Sequence, residues 1–405
     1  MFFLYSAYAR SYQWIVSILG RFVTYPEHRL IEGEGSSLRL VDELSSRGYV
    51  RPLFVLSSSV HRSKADAPLL DALKEKGIEP TLYVLPSGEP GFDTANACYL
   101  EMKRANCDAI VAIGGGSAMD VAKSAGVLFA YKGKDIASFR GLLKVHRKLP
   151  FMAFVPTTAG TGSEITPVAV LSLPRGEGKV AIMSPLLTPS LAVLDPVYLK
   201  SLPERPAVYG LLDALTHALE SFLNRPKDSE VARDAIAATR TILEKGRLFA
   251  QNRDDLSLDL EMLKASYLAG RAFARGYVGY SHALSHAIGG RYHLPHGYLN
   301  AVLLPYVLRS YGRKAYPALA RLEEAIGGSS DLSLPQKAEA FLSRVASLER
   351  DLRIDPKLPL PSFGEEAASS LAHEAAKEAN PLYHVPKILS EEELALILKA
   401  AVISV

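Results

Sequence analysis

Asp213 and His217 stand four residues apart in Leu-Asp-Ala-Leu-Thr-His, and His282 and His286 repeat that spacing in Ser-His-Ala-Leu-Ser-His. His296 follows in Leu-Pro-His-Gly. On a helix, residues at i and i+4 project from one face, so each pair aims at a common target. One carboxylate with several imidazoles is a donor set for a first-row divalent metal, and an open position on such a metal does chemistry. Half of the ten histidines fall between residues 213 and 296. One alone would read as a hydrogen-bonded core residue, but buried imidazoles grouped near a carboxylate need a reason. His293 is the doubtful member and reads as a loop residue. Ser281 is expected to cap the helix carrying His282 and His286, and Gly289-Gly290 to stop it.

A second chemical feature lies upstream. Gly114-Gly115-Gly116-Ser117 follows an apolar run and precedes a helical one. Glycines there let the backbone approach a pyrophosphate, and the helix N-terminus turns its N–H groups toward it. The order is not Gly-x-Gly-x-x-Gly, so the common dinucleotide fingerprint is absent. Thr157-Thr158-Ala159-Gly160-Thr161-Gly162-Ser163-Glu164 follows another strand and offers hydroxyl donors at the same strand-end side. Asp120 would be repelled by a pyrophosphate; by residue chemistry it accepts backbone N–H groups or fixes a neighbouring loop.

These groups need a scaffold, and the pattern supplies one. Buried-strand runs at Pro52–Ser57, Thr81–Leu85, Asp108–Ile113, Phe151–Val155 and Leu191–Leu194 alternate with helical stretches. Such alternation predicts a parallel sheet covered on both faces. After Leu202-Pro203-Glu204 strand-like runs vanish and helical patterns continue to the end. The expected fold is an α/β dinucleotide-binding domain over residues 29–203 and an all-helical metal-binding domain over 204–405.

Residues 1–28 form an apolar extension. As a helix it is amphipathic, with Ser6, Arg10, Gln13, Ser17 and Arg21 on one face and Leu4, Tyr5, Tyr8, Tyr12, Ile15, Leu19 and Phe22 on the other. It lacks a basic start and a small-residue cleavage site, and Arg10 and Arg21 interrupt any spanning segment. The favoured reading docks the helix on its own domain or a second subunit. The alternative is peripheral membrane contact through residues 1–24, with Trp14 and the tyrosines at headgroup level.

The chain has 405 residues, 48% hydrophobic and 22% charged, with a net charge of +3. That balance excludes a nucleic-acid footprint. Cys98 and Cys107, without metal-type spacing, fit a reducing, cytoplasmic setting.

The motifs from Gly114 to Lys123 and from Pro156 to Glu164, with His282 through Gly297, closely resemble the iron-containing (group III) alcohol dehydrogenase family. The resemblance runs from about Arg29 to the C-terminus and implies that family's architecture, shared with dehydroquinate synthases. It implies metal ligation by Asp213, His217, His282 and His296, with His286 near the nicotinamide and substrate; an imidazole there that is free of the metal is the expected catalytic proton relay. It implies a pyrophosphate loop of Gly115, Gly116, Ser117 and Asp120. Thr157, Thr158, Thr161 and Lys179 are then further cofactor contacts, and iron (Fe²⁺) is the favoured metal, with Zn²⁺ the alternative. The chain departs from the pattern at Ser57: an Asp that often marks NAD-preferring members at the end of the first cofactor strand is missing. A 2′-phosphate would not be repelled there, and His61, Arg62 or Lys64 would meet it, so NADP is expected beside NAD. The expected enzyme is a homodimeric, metal-dependent, NAD(P)-linked alcohol dehydrogenase or aldehyde reductase. Phe273, Tyr277, Val278 and Tyr280 hint at an aliphatic substrate. The alternatives are a hydroxyacid–oxoacid transhydrogenase, a lyase of the dehydroquinate-synthase type, for which few basic residues are present, and a non-catalytic, membrane-attached nucleotide-binding protein.

Overall fold

A computed structural model describes residues 2–20, 23–86, 88–173, 179–225 and 228–405. The chain opens with α1 (Phe2–Gly20). An α/β region follows: β1 (Arg29–Glu32), α2 (Arg39–Ser46), β2 (Pro52–Leu56), α3 (Ser58–Ser63), α4 (Ala67–Glu75), β3 (Thr81–Val84), α5 (Phe92–Arg104), β4 (Ala109–Gly114), α6 (Gly116–Ala130), β5 (Gly141–Leu142), β6 (Phe151–Pro156), β7 (Val168–Ser172), β8 (Lys179–Met183) and β9 (Leu191–Leu194). The helical region holds α7 (Glu204–Leu223), α8 (Ser229–Gln251), α9 (Leu256–Gly276), α10 (Tyr280–Tyr292), α11 (His296–Ser310), α12 (Tyr316–Ala325), α13 (Leu334–Asp351), β10 (Leu358–Leu360), α14 (Glu365–Ala379), α15 (Glu391–Ala401) and β11 (Val402–Ser404).

The six-stranded parallel sheet runs β1-β9-β6-β4-β2-β3. Its four inner strands are buried at every residue, as expected where helices cover both faces. Alternation splits each strand between two cores. Leu53 and Val55 face the side holding α5 and α6, whereas Phe54 and Leu56 face the side holding α2 and α4. Register then sets the strand ends. Leu56 pairs with Ile113 and Gly114 with Pro156, so Ser57, the glycine turn and the threonine segment all begin at one level. Strand order reverses between β2 and β4, and ligands bind outside the carboxyl ends at such a switch point.

Three strand features escape the apolar-run criterion. β1 carries Arg29 and Glu32 at an exposed sheet edge. β7 and β8 form an antiparallel pair in which β7 alternates in burial and β8 is mostly part-exposed. β10 and β11 pair in parallel, so strands do not vanish entirely after Pro203.

The chain divides into two compact units, and the division differs from a single cut near residue 203. Residues 24–206 and 253–267 form the α/β unit; residues 1–23, 207–252 and 268–405 form the helical one. The cause is α9, one continuous helix that begins in the first unit and ends in the second.

Helix α1 docks within the helical unit, but with its polar face inward. Gln13 is only 4% exposed, whereas Leu4 is 73% and Trp14 67% exposed, and Tyr8 and Ile15 are exposed as well. Arg10 donates to Val385 O at 2.7 Å and to Pro386 O at 2.9 Å. Gln13 Nε2 donates to Pro381 O and Tyr383 O at 3.0 and 2.6 Å. The helix thus docks on its own chain, and does so through its polar face. The carbonyls of this loop need donors, and that requirement decides which face turns in. Arg21 and Phe22 lie outside the described residues. Among the described residues no helix is long and apolar enough to cross a membrane.

On α13, Glu349 is 9% exposed with Oε1 unpaired, and burial pushes its carboxyl up to about 8. Folding therefore holds a proton that the unfolded chain releases near 4.5. This contribution to stability is complete below that value and is lost as pH rises through about 8. Glu349→Gln is expected to stabilise the protein by roughly 2 kcal/mol at pH 9 and negligibly at pH 5. Urea unfolding at the two pH values checks it; equal effects would contradict the assignment.

Candidate metal and cofactor sites

Helix α7 presents Asp213, His217 and Glu220 at i, i+4 and i+7, one stripe facing α10 and α11. One donor atom from each of Asp213, His217 and His282 lies within 4.8 Å of the others, and all three residues are buried. His296 Nε2 is 3.5 Å and His282 Nε2 3.9 Å from Asp213 Oδ1. The rings of His217 and His282 stack at 4.5 Å, and those of His282 and His296 lie 5.3 Å apart. His296 stands just outside the tight trio. It is the first residue of α11 rather than a turn residue, and Asn300, one turn on, lies 3.0 Å from its Nε2.

Two neighbours tune this group. Glu220 lies 2.6 Å from His282 Nδ1 and also accepts the N–H groups of Gly279 and Ser281. It thereby caps α10 from another helix. Ser281 is not the N-cap; that position is Gly279. Nor does Gly289-Gly290 stop α10, which continues to Tyr292 and ends at His293 with φ 54°. Asn300 donates to Asp213 Oδ1 at 2.7 Å and accepts from Ser285 at 2.6 Å.

Burial alone would raise Asp213, but the surrounding imidazoles of His217, His296 and His282, with the Asn300 hydrogen bond, hold it below the usual carboxylate range. Burial and the neighbouring imidazoles drive His282 and His296 toward the neutral form. An ionised carboxylate among neutral imidazoles is what a divalent cation binds. The buried His282 Nε2 has no hydrogen-bond partner. That orphaned atom fits a metal donor oriented through its other nitrogen by a carboxylate.

His286 stands apart from the trio. Its ring stacks on His296 at 5.0 Å, and its Nδ1 lies 2.7 Å from Glu378 Oε1. Burial would raise Glu378, but His286 and the hydrogen bonds from His286 and Tyr383 hold it below the ordinary range. Of the apolar residues near the histidines, Tyr280 is fully buried and bonds Asn380 and Leu389, so it belongs to the core. Phe273 stacks on His217 at 4.2 Å.

In the α/β unit, glycine is required where β4 enters α6. A Cβ on Gly114 would stand 2.5 Å from Ala118 Cβ, and one on Gly116 3.0 Å from Thr161 Cγ2. Gly115 lies beside Thr158, where a Cβ would make only ordinary contact at 3.4 Å. Gly115, Gly116 and Ser117 at the start of α6 thus lie beside Thr157, Thr158 and Thr161, and Thr157 N donates to Gly114 O at 3.1 Å. This glycine-lined cradle, which side chains would fill, fits a pyrophosphate. Both oxygens of Asp120 are engaged elsewhere, accepting from Ser163 Oγ at 2.9 Å and Val170 N at 3.1 Å. Asp120 therefore anchors the threonine segment rather than a phosphate. Lys123, fully buried, assists with hydrogen bonds to Ser163, Thr166 and Val168. Lys179 pairs with Glu89 at 2.7 Å. Ser57 precedes α3 and bonds Ser59 through its hydroxyl, and His61, Arg62 and Lys64 are exposed.

Glu220, Asn300, Glu378 and Tyr383 were not anticipated from sequence. The first two had a signal, because Glu220 continues the Asp213–His217 stripe and Asn300 is i+4 from His296. Glu378 had none, being 92 residues from its partner.

Two family models match the chain: iron-containing alcohol dehydrogenase over residues 26–196, and the C-terminal model of the Fe-containing alcohol dehydrogenase family over 207–402. The chain is 32% identical over 375 residues to long-chain-alcohol dehydrogenase 1 of Geobacillus thermodenitrificans, covering 91% of this chain and 94% of that one. It is 34% identical to 1,3-propanediol dehydrogenase of Citrobacter freundii over 82% of this chain and 86% of that one. Among solved structures it resembles a 1,3-propanediol oxidoreductase at a TM-score of 0.88 and 28% identity, covering 94% of this chain and all of the other.

Proposed function

The chain belongs to the iron-containing alcohol dehydrogenase family, and on that premise we propose how its residues carry out NAD-linked, metal-dependent oxidation of alcohols and reduction of aldehydes. An iron-type divalent ion, once bound, supplies Lewis acidity toward a substrate oxygen, and the nicotinamide accepts or returns the hydride. Asp213, His217, His282 and His296 would hold the ion, and the observation carrying this is the buried trio with the orphaned His282 Nε2. Glu220 keeps His282 in the tautomer that leaves Nε2 for the ion. His286 carries the substrate proton, a role supported by its carboxylate partner. Ser57, Gly115, Gly116, Ser117, Thr157, Thr158, Thr161 and Lys179 serve the dinucleotide. Asp120 acts on it only through the loop it anchors.

Two finer points complete the reading. With no carboxylate in the β2–α3 connection, NADP(H) is accepted beside NAD(H). Iron is favoured over Zn²⁺ as the resident ion. The transhydrogenase, lyase and non-catalytic alternatives gain no support from the relatives. Protein purified without air should hold stoichiometric iron and reduce straight-chain aldehydes with NADH and NADPH. Absence of turnover by the iron-loaded protein across the series would sink the catalytic reading; turnover with NADH alone would remove the NADP(H) part.

A homodimer in a cytoplasmic setting remains part of this reading, checked by light scattering and fractionation. The outward apolar face of α1, with Leu4, Tyr8, Trp14 and Ile15, supports peripheral contact with a membrane. Sedimentation with phosphatidylcholine–phosphatidylserine vesicles should carry the protein down, and Trp14→Ser with Ile15→Ser should release it.

A further inference from the structure

We propose that Glu378, backed by Tyr383, is the positioning residue for His286, and that the N-terminal helix secures this pair by clamping the loop from Pro381 to Pro386. The proposal rests on the reading of His286 as proton carrier and adds the device that makes it competent.

One carboxylate oxygen, Glu378 Oε1, meets both His286 Nδ1 at 2.7 Å and the Tyr383 hydroxyl at 2.6 Å. With Nδ1–H donating to that oxygen, neutral His286 is held in the tautomer whose lone pair sits on Nε2. In alcohol oxidation the substrate hydroxyl proton moves to Nε2, and the adjacent carboxylate stabilises the imidazolium. In aldehyde reduction the same proton returns to the product oxygen. No electron passes through the relay, so hydride transfer to or from nicotinamide balances the redox change alone.

Glu378 lies in the last turn of α14, and Tyr383 in the loop that follows. That loop is gripped from α1. Gln13 Nε2 donates to Pro381 O and Tyr383 O, and Arg10 to Val385 O and Pro386 O. His384 Nε2 returns a contact to Gln13 O at 3.0 Å. Arg225 N adds a bond to His384 O, and the His384 ring stacks on Tyr277 at 4.3 Å. The inverted docking of α1 thus has a purpose. Its polar residues satisfy a run of loop carbonyls, and the ordered loop delivers the Tyr383 hydroxyl to Glu378.

The test is a double-mutant cycle on iron-loaded enzyme, reading kcat, KM and metal content. Glu378→Gln should lower kcat about 10- to 100-fold with KM and bound iron unchanged. Glu378→Asp should recover part of the loss. In a His286→Ala background Glu378→Gln should cost nothing further, because both changes remove one relay. Arg10→Ala with Gln13→Ala should lower kcat less than Glu378→Gln and likewise lose its effect in the His286→Ala background. A silent Glu378→Gln beside a damaging His286→Ala overturns the positioning role alone. A silent His286→Ala overturns the proton-carrier reading beneath it. Losses that add across the cycle indicate a structural role and overturn the proposal, and a silent Arg10–Gln13 pair overturns the part given to α1.

Discussion

Alanine in place of His282 is expected to strip the metal and to lower kcat/KM at least ~10³-fold, the equivalent of about 4 kcal/mol of lost transition-state stabilisation. His282 is central to the trio: its Nε2 lies 3.9 Å from Asp213 Oδ1 and its ring stacks on His217. The loss has a second component. Glu220 is fully buried, and burial has already raised its carboxyl to about 7 against the pull of the Gly279 and Ser281 N–H groups and of His217. Without His282 that carboxyl loses its imidazole partner. Glu220→Gln provides the graded comparison, because it keeps the ligand and alters the group that orients it and caps α10. Metal affinity should then fall about 10- to 100-fold, with turnover recovered at high iron. Elemental analysis and steady-state kinetics check both variants. Full iron content in the His282→Ala protein would transfer the ligand role elsewhere.

The sheet was legible because its inner strands are apolar at nearly every residue, and register follows from that burial. Its periphery was not. β1 has charged ends at an edge, and β7 and β8 are partly exposed, so neither resembles a core strand. The i,i+4 spacing of Asp213 and His217 placed both on one helix face, where the structure groups them with His282, but spacing alone did not tell that His286 stands apart from that trio. What the spacing could not give was partnership across distance. Ser281 looked like a cap only because Glu220, the group that receives the α10 N-terminus, is 61 residues away. The Asp120 carboxylate was legible as a loop anchor from electrostatics alone, since an anion beside a pyrophosphate is unfavourable. Helix α1 is the opposite case. Periodicity gave its two faces correctly, but the docked one was set by unsatisfied carbonyls at 381–386, which no local pattern announces.

Gly297→Ala should be among the most damaging single-methyl additions in the helical unit, destabilising it by ~3 kcal/mol and weakening metal retention. A Cβ at Gly297 would fall on Tyr209 O, 2.7 Å from Tyr209 C and 3.3 Å from Asp213 Cβ. Those atoms belong to the backbone and ligand face of α7, so no flexible side-chain tip gives way. Relief requires the start of α11 to move off α7, and the same movement carries His296 away from Asp213, now 3.5 Å distant. Intrinsic helix propensity opposes this outcome, because Gly→Ala inside a helix gains about 1 kcal/mol where space permits. Gly290, within α10, has nothing within 4 Å of its would-be Cβ. Gly290→Ala should therefore be neutral or stabilising, and the pair separates propensity from close approach. Urea unfolding of the two metal-free variants, followed by iron titration, reads both effects. If Gly297→Ala unfolds at the same urea concentration as Gly290→Ala and binds iron normally, α7 and α11 are not in the close contact that seats His296.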